Sequence, residues 1–207
     1  NTDDWKITAT INVKNTGSLG DALCDVIFGD KVPSGKLTTS MPKTTGQEPL
    51  YYNHQNTGRP VPDDNQKFAK FASNCLDVSN GPLYPFGYGL SYTTFEYGDL
   101  NLSSHEVNTD DWKITATINV KNTGSRDADE IVQLYIRDMV ASISRPVKEL
   151  KGFQRIHLAV GESKEVSFDI TPDMLKFYNT DLKHIIEPGD FQIMVGGNSK
   201  EVKTQNL

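Results

Sequence analysis

Three acidic clusters are the first places to look for chemistry in this chain: Asp63-Asp64, Asp110-Asp111, and Asp127 with Asp129 and Glu130. Paired carboxylates divide acid and base work when their surroundings push their proton affinities apart. Each cluster falls at a turn or strand end, where solvated carboxylates are the ordinary outcome, and no catalytic residue is assigned to any of them. A second candidate is the polar, aromatic loop from Tyr51 to Arg59, which carries Asn53, His54, Asn56 and Arg59. Loops of this kind reach binding clefts from a rigid scaffold; the competing reading gives Arg59 only an ion pair at a domain interface. His54, His105, His157 and His184 are too far apart in sequence for zinc-ligand spacing, so no metal site and no cofactor are expected. Cys24 and Cys75 have no CxxC spacing, and a disulfide or a pair of free thiols fits equally well. No GxSxG elbow or P-loop occurs. Gly87-Tyr88-Gly89 lacks the strand-before, helix-after setting of a nucleotide loop and reads as a turn.

Composition narrows the partners. The chain has 207 residues and a net charge of −6, and its 21 Lys and Arg are scattered with no run longer than two. Phosphate backbones are bound by clustered cations, so nucleic acid is excluded as a partner. No apolar run is long enough to cross a bilayer, and no charged-then-apolar leader opens the chain. The chain is therefore expected to begin inside a mature protein. Asn101-Leu102-Ser103 fits the glycosylation acceptor pattern, which matters only in a eukaryotic secretory pathway.

An internal repeat is the strangest feature. Residues 1–18, NTDDWKITATINVKNTGS, recur unchanged at 108–125. Identity stops abruptly, at Leu19-Gly20 after the first copy and Arg126-Asp127 after the second. Natural repeats drift and span a whole supersecondary unit, whereas this one spans a single strand, so it is read as an assembly feature. Function is then to be sought in residues 19–207.

The elements that must position the candidates follow from periodicity. Trp112, Ile114, Ala116, Ile118 and Val120 alternate with polar residues, which predicts a half-buried strand with Trp112 on its inner side. Further strands are predicted over 129–137, over 147–158, through Val166, Phe168 and Ile170, and through Phe191, Ile193 and Val195. Thr171-Pro172 predicts one short helical turn between the last two. Some seven short strands with turn signals between them predict an antiparallel sandwich over 93–207. No cysteine sits where antibody domains carry their staple, which favours the fibronectin-type variant. Leu23, Val26 and Ile27 predict a short helix ended by Gly29. From Pro33 to Pro85 the chain is dense in Pro, Gly, Asn and Tyr, and its aromatic content argues for a strap that packs against something.

Six motifs in series carry a resemblance to a known family: DVIFGDKVPSGKL (25–37), PLYYNHQNTGRP (49–60), PLYPFGYGLSYTTFEY (82–97), SRPVKELKGFQRI (144–156), VGESKEVSF (160–168) and EPGDFQIMVGGNS (187–199). In order and spacing they resemble the C-terminal part of family 3 β-glucosidases, over essentially all of residues 19–207. Thr38 and Met41 depart from the usual Pro and Phe, and Cys24 and Cys75 stand where small or aromatic residues are common. The resemblance implies that 19–92 is the end of an α/β sandwich domain plus a connecting strap, and that 93–207 is a fibronectin-III-like domain.

In that family the nucleophilic Asp belongs to a barrel domain and the acid/base Glu to the body of the α/β sandwich domain. The resemblance thus implies a non-catalytic part of an O-glycosyl hydrolase of carbohydrate metabolism, inactive alone. Its expected partners are the catalytic barrel and α/β domains of the parent, and through them β-linked glucosides or oligosaccharides. His54, Asn56 and Arg59 are the candidates for approaching the sugar-binding cleft in that intact enzyme, with Lys36 expected to be a solvated strand residue. The parent is expected to be periplasmic or secreted.

The alternative is a stand-alone carbohydrate-binding module, which would need exposed aromatics in a row on one sheet face. Alternation places only Tyr135 outward on a strand. The repeat adds one more expectation. Residues 108–125 should hold the single strand slot, because both ends are tied by short connections. Residues 1–18 would have to close a loop of about ninety residues to compete. They are expected as an extended strand, with Trp5, Ile7, Ala9, Ile11 and Val13 on its buried side. That strand would be added to a sheet edge or exchanged with a second molecule in a strand-exchanged dimer.

Overall fold

The computed structural model describes residues 19–61, 64, 68–107 and 111–207. The expected placement of residues 1–18, and the acidic residues Asp63 and Asp110, lie outside the described residues. From residue 93 onward the chain forms an antiparallel sandwich. One sheet has three strands in the order β1 (Phe95–Leu102), β2 (Ile114–Asn122), β5 (Ser163–Ile170). The other has four, in the order β4 (Glu149–Leu158), β3 (Ala128–Asp138), β8 (Phe191–Gly196), β9 (Val202–Asn206). A small hairpin of β6 (Phe177–Tyr178) and β7 (His184–Ile185) follows the single-turn helix α2 (Pro172–Leu175).

Alternation explains the layers. Ile114, Ala116, Ile118 and Val120 on β2 face Val132, Leu134 and Ile136 on β3 and Ile193 and Val195 on β8, all of them buried in one apolar cluster. The polar residues that alternate with them, Thr115, Thr117, Asn119 and Lys121, lie on the outer side. Lys113, just before the strand, reaches Asp169 at 3.1 Å, and the Thr115 hydroxyl donates to the same carboxylate at 3.0 Å. Trp112 is half-buried and packs on the cluster from just outside β2, rather than sitting on its fully buried face.

The end of β2 is locked by Asn122, which is buried with every side-chain bond made. Its amide nitrogen donates to Arg126 O at 2.7 Å and Leu158 O at 3.1 Å. Its oxygen accepts from Thr93 Oγ1 at 2.7 Å and Gly124 N at 3.1 Å. A buried amide satisfied on both ends fixes one register, since any slip would orphan four polar groups.

On the sheet's exposed side, Asp129 of β3 accepts from Arg155 Nε and His157 Nδ1, each at 2.7 Å. Partial burial opposes ionisation here, but the hydrogen bonds from His157 and Arg155 win and hold the Asp129 carboxyl below its ordinary value.

The chain enters through α1 (Leu19–Ile27), which ends where Gly29 adopts a left-handed φ of 83°. The helix is amphipathic as expected, yet none of its residues is buried: Leu19, Leu23, Ile27 and the following Phe28 are all exposed. Cys24 and Cys75 are free thiols.

Two outcomes check this packing. Leu134→Ala opens a cavity between the sheets and should destabilise by about 3 kcal/mol, whereas Phe153→Ala, on the exposed face of β4, should cost less than about 0.5 kcal/mol, both read from urea midpoints. Asp129→Asn should flatten the acid limb of stability. A depressed carboxylate contributes stability that is present above its unfolded value near ~4 and is lost as pH falls through the folded one, so the two proteins should converge in stability at low pH.

Candidate functional site

The strap does not hang free; it covers the outer face of the four-stranded sheet. Tyr135 is the outward aromatic of β3, and it is 0% exposed. Two strap rings enclose it: Tyr52 stacks on Phe86 at 4.1 Å, and their edges meet Tyr135 at 6.0 and 6.5 Å. Burial, and then the nearby Tyr52, push the Tyr135 phenol above its ordinary value, so it stays a donor, and its hydroxyl bonds Gln133 Oε1. The Gln133 amide in turn donates to Gly87 O at 3.1 Å and Gly197 O at 2.6 Å. Gly87 has a φ of 79°, and a Cβ there would lie 2.1 Å from Gln133 Oε1, so both backbone and space demand glycine. This accounts physically for the Gly-Tyr-Gly turn.

The strap is pinned along its length. Val147 N donates to His54 O at 2.9 Å, and Gln55 bridges Pro146. Leu150 N donates to the Tyr52 hydroxyl at 3.3 Å, and Lys148 Nζ to Ser199 O at 2.7 Å. Arg145 pairs with Glu149 at 2.8 Å and lies 4.6 Å from the centre of the Phe177 ring. The segment 144–150 is thus the seat of the strap. Farther along, the buried Gln47 donates to Ser79 O at 2.8 Å and Gly81 O at 3.2 Å, closing the strap on itself.

A second contact lies at the mouth of the sandwich. Glu130 shares the inward side of β3 with Val132 and Leu134, and its Oε1 accepts from Tyr97 Oη at 2.7 Å and Lys36 Nζ at 3.0 Å. The side chains of Lys36 and Glu130 are only 16% and 6% exposed. Burial, then the Glu130 charge and the hydrogen bond to it, drive the Tyr97 phenol far above its ordinary value. Lys36 is therefore not the solvated strand residue that the sequence suggested, and Glu130 is not a solvated turn carboxylate. Alternation alone puts Glu130 inward; what it meets there is set by the strap.

Between strap and sheet runs a groove of about 910 Å³, lined on one side by His54, Asn56 and Asp64 and on the other by Arg137, Lys148 and Gln192. Burial lowers the Lys148 ammonium's proton affinity, opposed by Asp64 and reinforced by Arg137. His54 is exposed and its Nδ1 meets Gln55 O at 3.0 Å. The Asn56 oxygen accepts Gly58 N at 3.3 Å. Arg59 is exposed and is not itself among the lining residues, but Pro60 beside it and Ser73, whose N donates to the Arg59 carbonyl at 2.8 Å, both line the groove. So His54 and Asn56 line one groove, and Arg59 lies at its border. Asp64 is the one carboxylate among the described lining residues. Glycosidic hydrolysis of the usual kind needs two, about 5–10 Å apart. Sequence reasoning missed Lys36, Glu130 and Tyr97, because no local pattern announces a contact spanning 94 residues.

Two family models match in tandem: the glycosyl hydrolase family 3 C-terminal domain at residues 1–92 and the fibronectin type III-like domain at 130–199. The chain belongs to glycoside hydrolase family 3, in its C-terminal region. It is 51% identical over 184 residues to a periplasmic beta-glucosidase of Salmonella typhimurium, covering 89% of this chain and 24% of that protein. A putative beta-xylosidase of Formosa agariphila is 41% identical, covering 98% of this chain and 25% of that protein. The crystal structure of a beta-glucosidase from Listeria innocua in complex with glucose superposes with a TM-score of 0.84 at 41% identity, covering 91% of this chain and 26% of that one. The family 3 chain thus spans about a quarter of the length of the relatives it matches.

Within this chain, these contacts give Lys36 a larger part in stability than Arg59. Lys36→Ala leaves the buried Glu130 carboxylate with its Tyr97 hydrogen bond but without the Lys36 charge, and should cost about 3 kcal/mol. Arg59→Ala should fall within about 0.5 kcal/mol. Urea midpoints of the two variants check the order.

Proposed function

We propose that this chain is the non-catalytic C-terminal part of a β-glucosidase-type O-glycosyl hydrolase, and that it braces the catalytic barrel and α/β domains. One observation carries the reading: the strap is clamped on the sandwich while the apolar side of α1, next to it in sequence, is bare. Apolar helix faces are covered in finished proteins, and the body of an α/β domain is the cover that family membership supplies. Residues 19–92 then end that domain and form its strap, and 93–207 form the fibronectin-like unit that anchors it. The parent acts on β-linked glucosides or oligosaccharides in the periplasm or outside the cell, which accords with the name of the Salmonella relative. His54 and Asn56, in the groove, remain the candidates for approaching its substrate, with Arg59 acting at a domain interface.

A stand-alone carbohydrate-binding module is the weaker reading. Such a module presents exposed rings along one sheet face, whereas Tyr135 is sealed under Tyr52 and Phe86.

Two measurements test the brace. The isolated chain should release no nitrophenol from a panel of aryl β-glycosides; turnover surviving a second, independent purification would overturn the non-catalytic assignment. Replacing the corresponding quarter of the Salmonella enzyme with residues 19–207 should give an active chimera. Leu23→Asp with Ile27→Asp in that chimera should lower its melting temperature and activity several-fold. A charged chimera as stable and active as the uncharged one would sink the bracing role.

A further inference from the structure

Two cations of the sandwich face the groove beneath the strap. Arg137 stands on the outer side of β3, the side that carries Tyr135, and pairs across the sheet with Gln192 of β8. On the other flank Ile136 pairs with Glu149, so the next position in the same register sets Lys148, just before β4, beside Arg137. Lys148, Arg137 and Gln192 thus form one row over neighbouring strands, which run about 4.8 Å apart. Each of them lines the groove. Like charges on adjacent strands repel, and loss of water sharpens the repulsion. Burial lowers the proton affinity of the Lys148 ammonium, Asp64 raises it, and Arg137 lowers it again.

Charges placed this way call for a counter-charge, and the chain supplies little of it. Among the described residues neither Arg137 nor Lys148 forms an ion pair. Lys148 Nζ donates to Ser199 O at 2.7 Å, which uses one of the three ammonium protons. Asp64, across the groove, is the one carboxylate in the described lining. The rest of the wall is suited to hydroxyl groups: Gln192 and Thr204 on the sheet, and Asn56 on the strap. Tyr51 also lines the groove and is 62% exposed, which leaves a ring face for the apolar side of a pyranose. At about 910 Å³ the groove has the size of a small-ligand site. It stops at the ring stack, where Tyr52 lines it and, with Phe86, covers Tyr135. A groove stopped at one end suits a small molecule better than a peptide passing through.

We propose that the groove between the strap and the four-stranded sheet binds an anionic sugar, a pyranose carrying a carboxylate or a phosphate, with its acidic group held between Arg137 and Lys148. The guanidinium offers a planar fork to two oxygens, and the ammonium adds a compact charge with two protons still to donate. The acid relieves the repulsion between the two cations, which a neutral sugar cannot do. Gln192, Thr204 and Asn56 then meet the ring hydroxyls. Because sheet and strap both contribute, occupancy ties them together at a point separate from the Tyr135 stack and the Glu130 contact. This binding role is independent of the bracing function, since it concerns the strap and the sandwich alone, and its failure leaves that reading untouched.

Titration calorimetry of the full chain at fixed ionic strength tests the site, with glucuronate, glucose 6-phosphate, glucose and inorganic phosphate as probes. One of the two sugar acids should bind about tenfold more tightly than glucose, because only the acid makes charge-assisted bonds, and the tighter acid identifies the group recognised. Arg137→Gln should weaken that binding about tenfold, with its ligand-free urea midpoint recorded to confirm folding. Asp64→Asn should strengthen it several-fold, because the carboxylate that competes for Lys148 is gone; this variant decides the matter if Arg137→Gln does not fold. The proposal fails if glucose binds as tightly as the sugar acids, or if inorganic phosphate matches them, which would mean an adventitious ion only. It also fails if folded Arg137→Gln keeps full affinity or if Asp64→Asn weakens binding. Absence of binding by every probe overturns it in favour of an acidic peptide segment of the parent as the partner of the two cations.

Discussion

An aromatic ring on the outside of a sheet must be covered, and the cover given to Tyr135 is what ties this molecule together. The ring stands on the central strand β3, facing away from the sandwich core, where it would expose a large apolar surface. Tyr52 and Phe86, thirty-odd residues apart in the strap, converge on it. Once they are in place, Gln133 can bond Gly87 and Gly197, Ser199 N can donate to Phe86 O at 2.9 Å, and 144–150 can seat the strap. A segment with almost no regular secondary structure is thereby ordered by side-chain and backbone contacts to a neighbouring sheet.

The Glu130 contact applies the same logic to charge. An inward carboxylate at the end of a sandwich loses its hydration, and that loss is offset only by donors held in place. Tyr97 comes from the opposite sheet and Lys36 from the strap, so one carboxylate joins three parts of the chain. Removing any partner leaves the others desolvated, which makes the contact a condition of docking rather than an added gain. Together with the ring stack, it fixes the strap at two separated points, so the strap cannot pivot.

This rigidity bears on function. Under the proposed bracing role, a clamped strap would carry the placement of the sandwich to a domain packed on α1. The groove under the strap is polar and roomy, and Asp64 is the one carboxylate among its described lining residues.

The sequence by itself determined the sandwich. Period-two alternation on β2, β3, β5 and β8 decides which residues face inward, because side chains on a strand have no other choice, and Pro and Gly punctuation sets the turns. It also determined α1 and its Gly29 stop, the single turn at Pro172, and family membership, which six ordered motifs carry. Tertiary structure decided the rest. Tyr135 was legible as outward but not as covered, since its cover arrives from residues 49 and 83 positions away. Lys36 read as a solvated lysine because local pattern records only its neighbours, and its partner lies 94 residues on. Trp112 alternates with the buried residues of β2, yet it falls just before the strand begins and stays half-exposed at the sandwich rim. His54, Asn56 and Arg59 lie close together in sequence, but only the first two side chains line the groove, with Arg59 at its border. Contacts local in sequence are fixed by backbone geometry; long-range ones depend on which surfaces are left to cover after the sheets have formed.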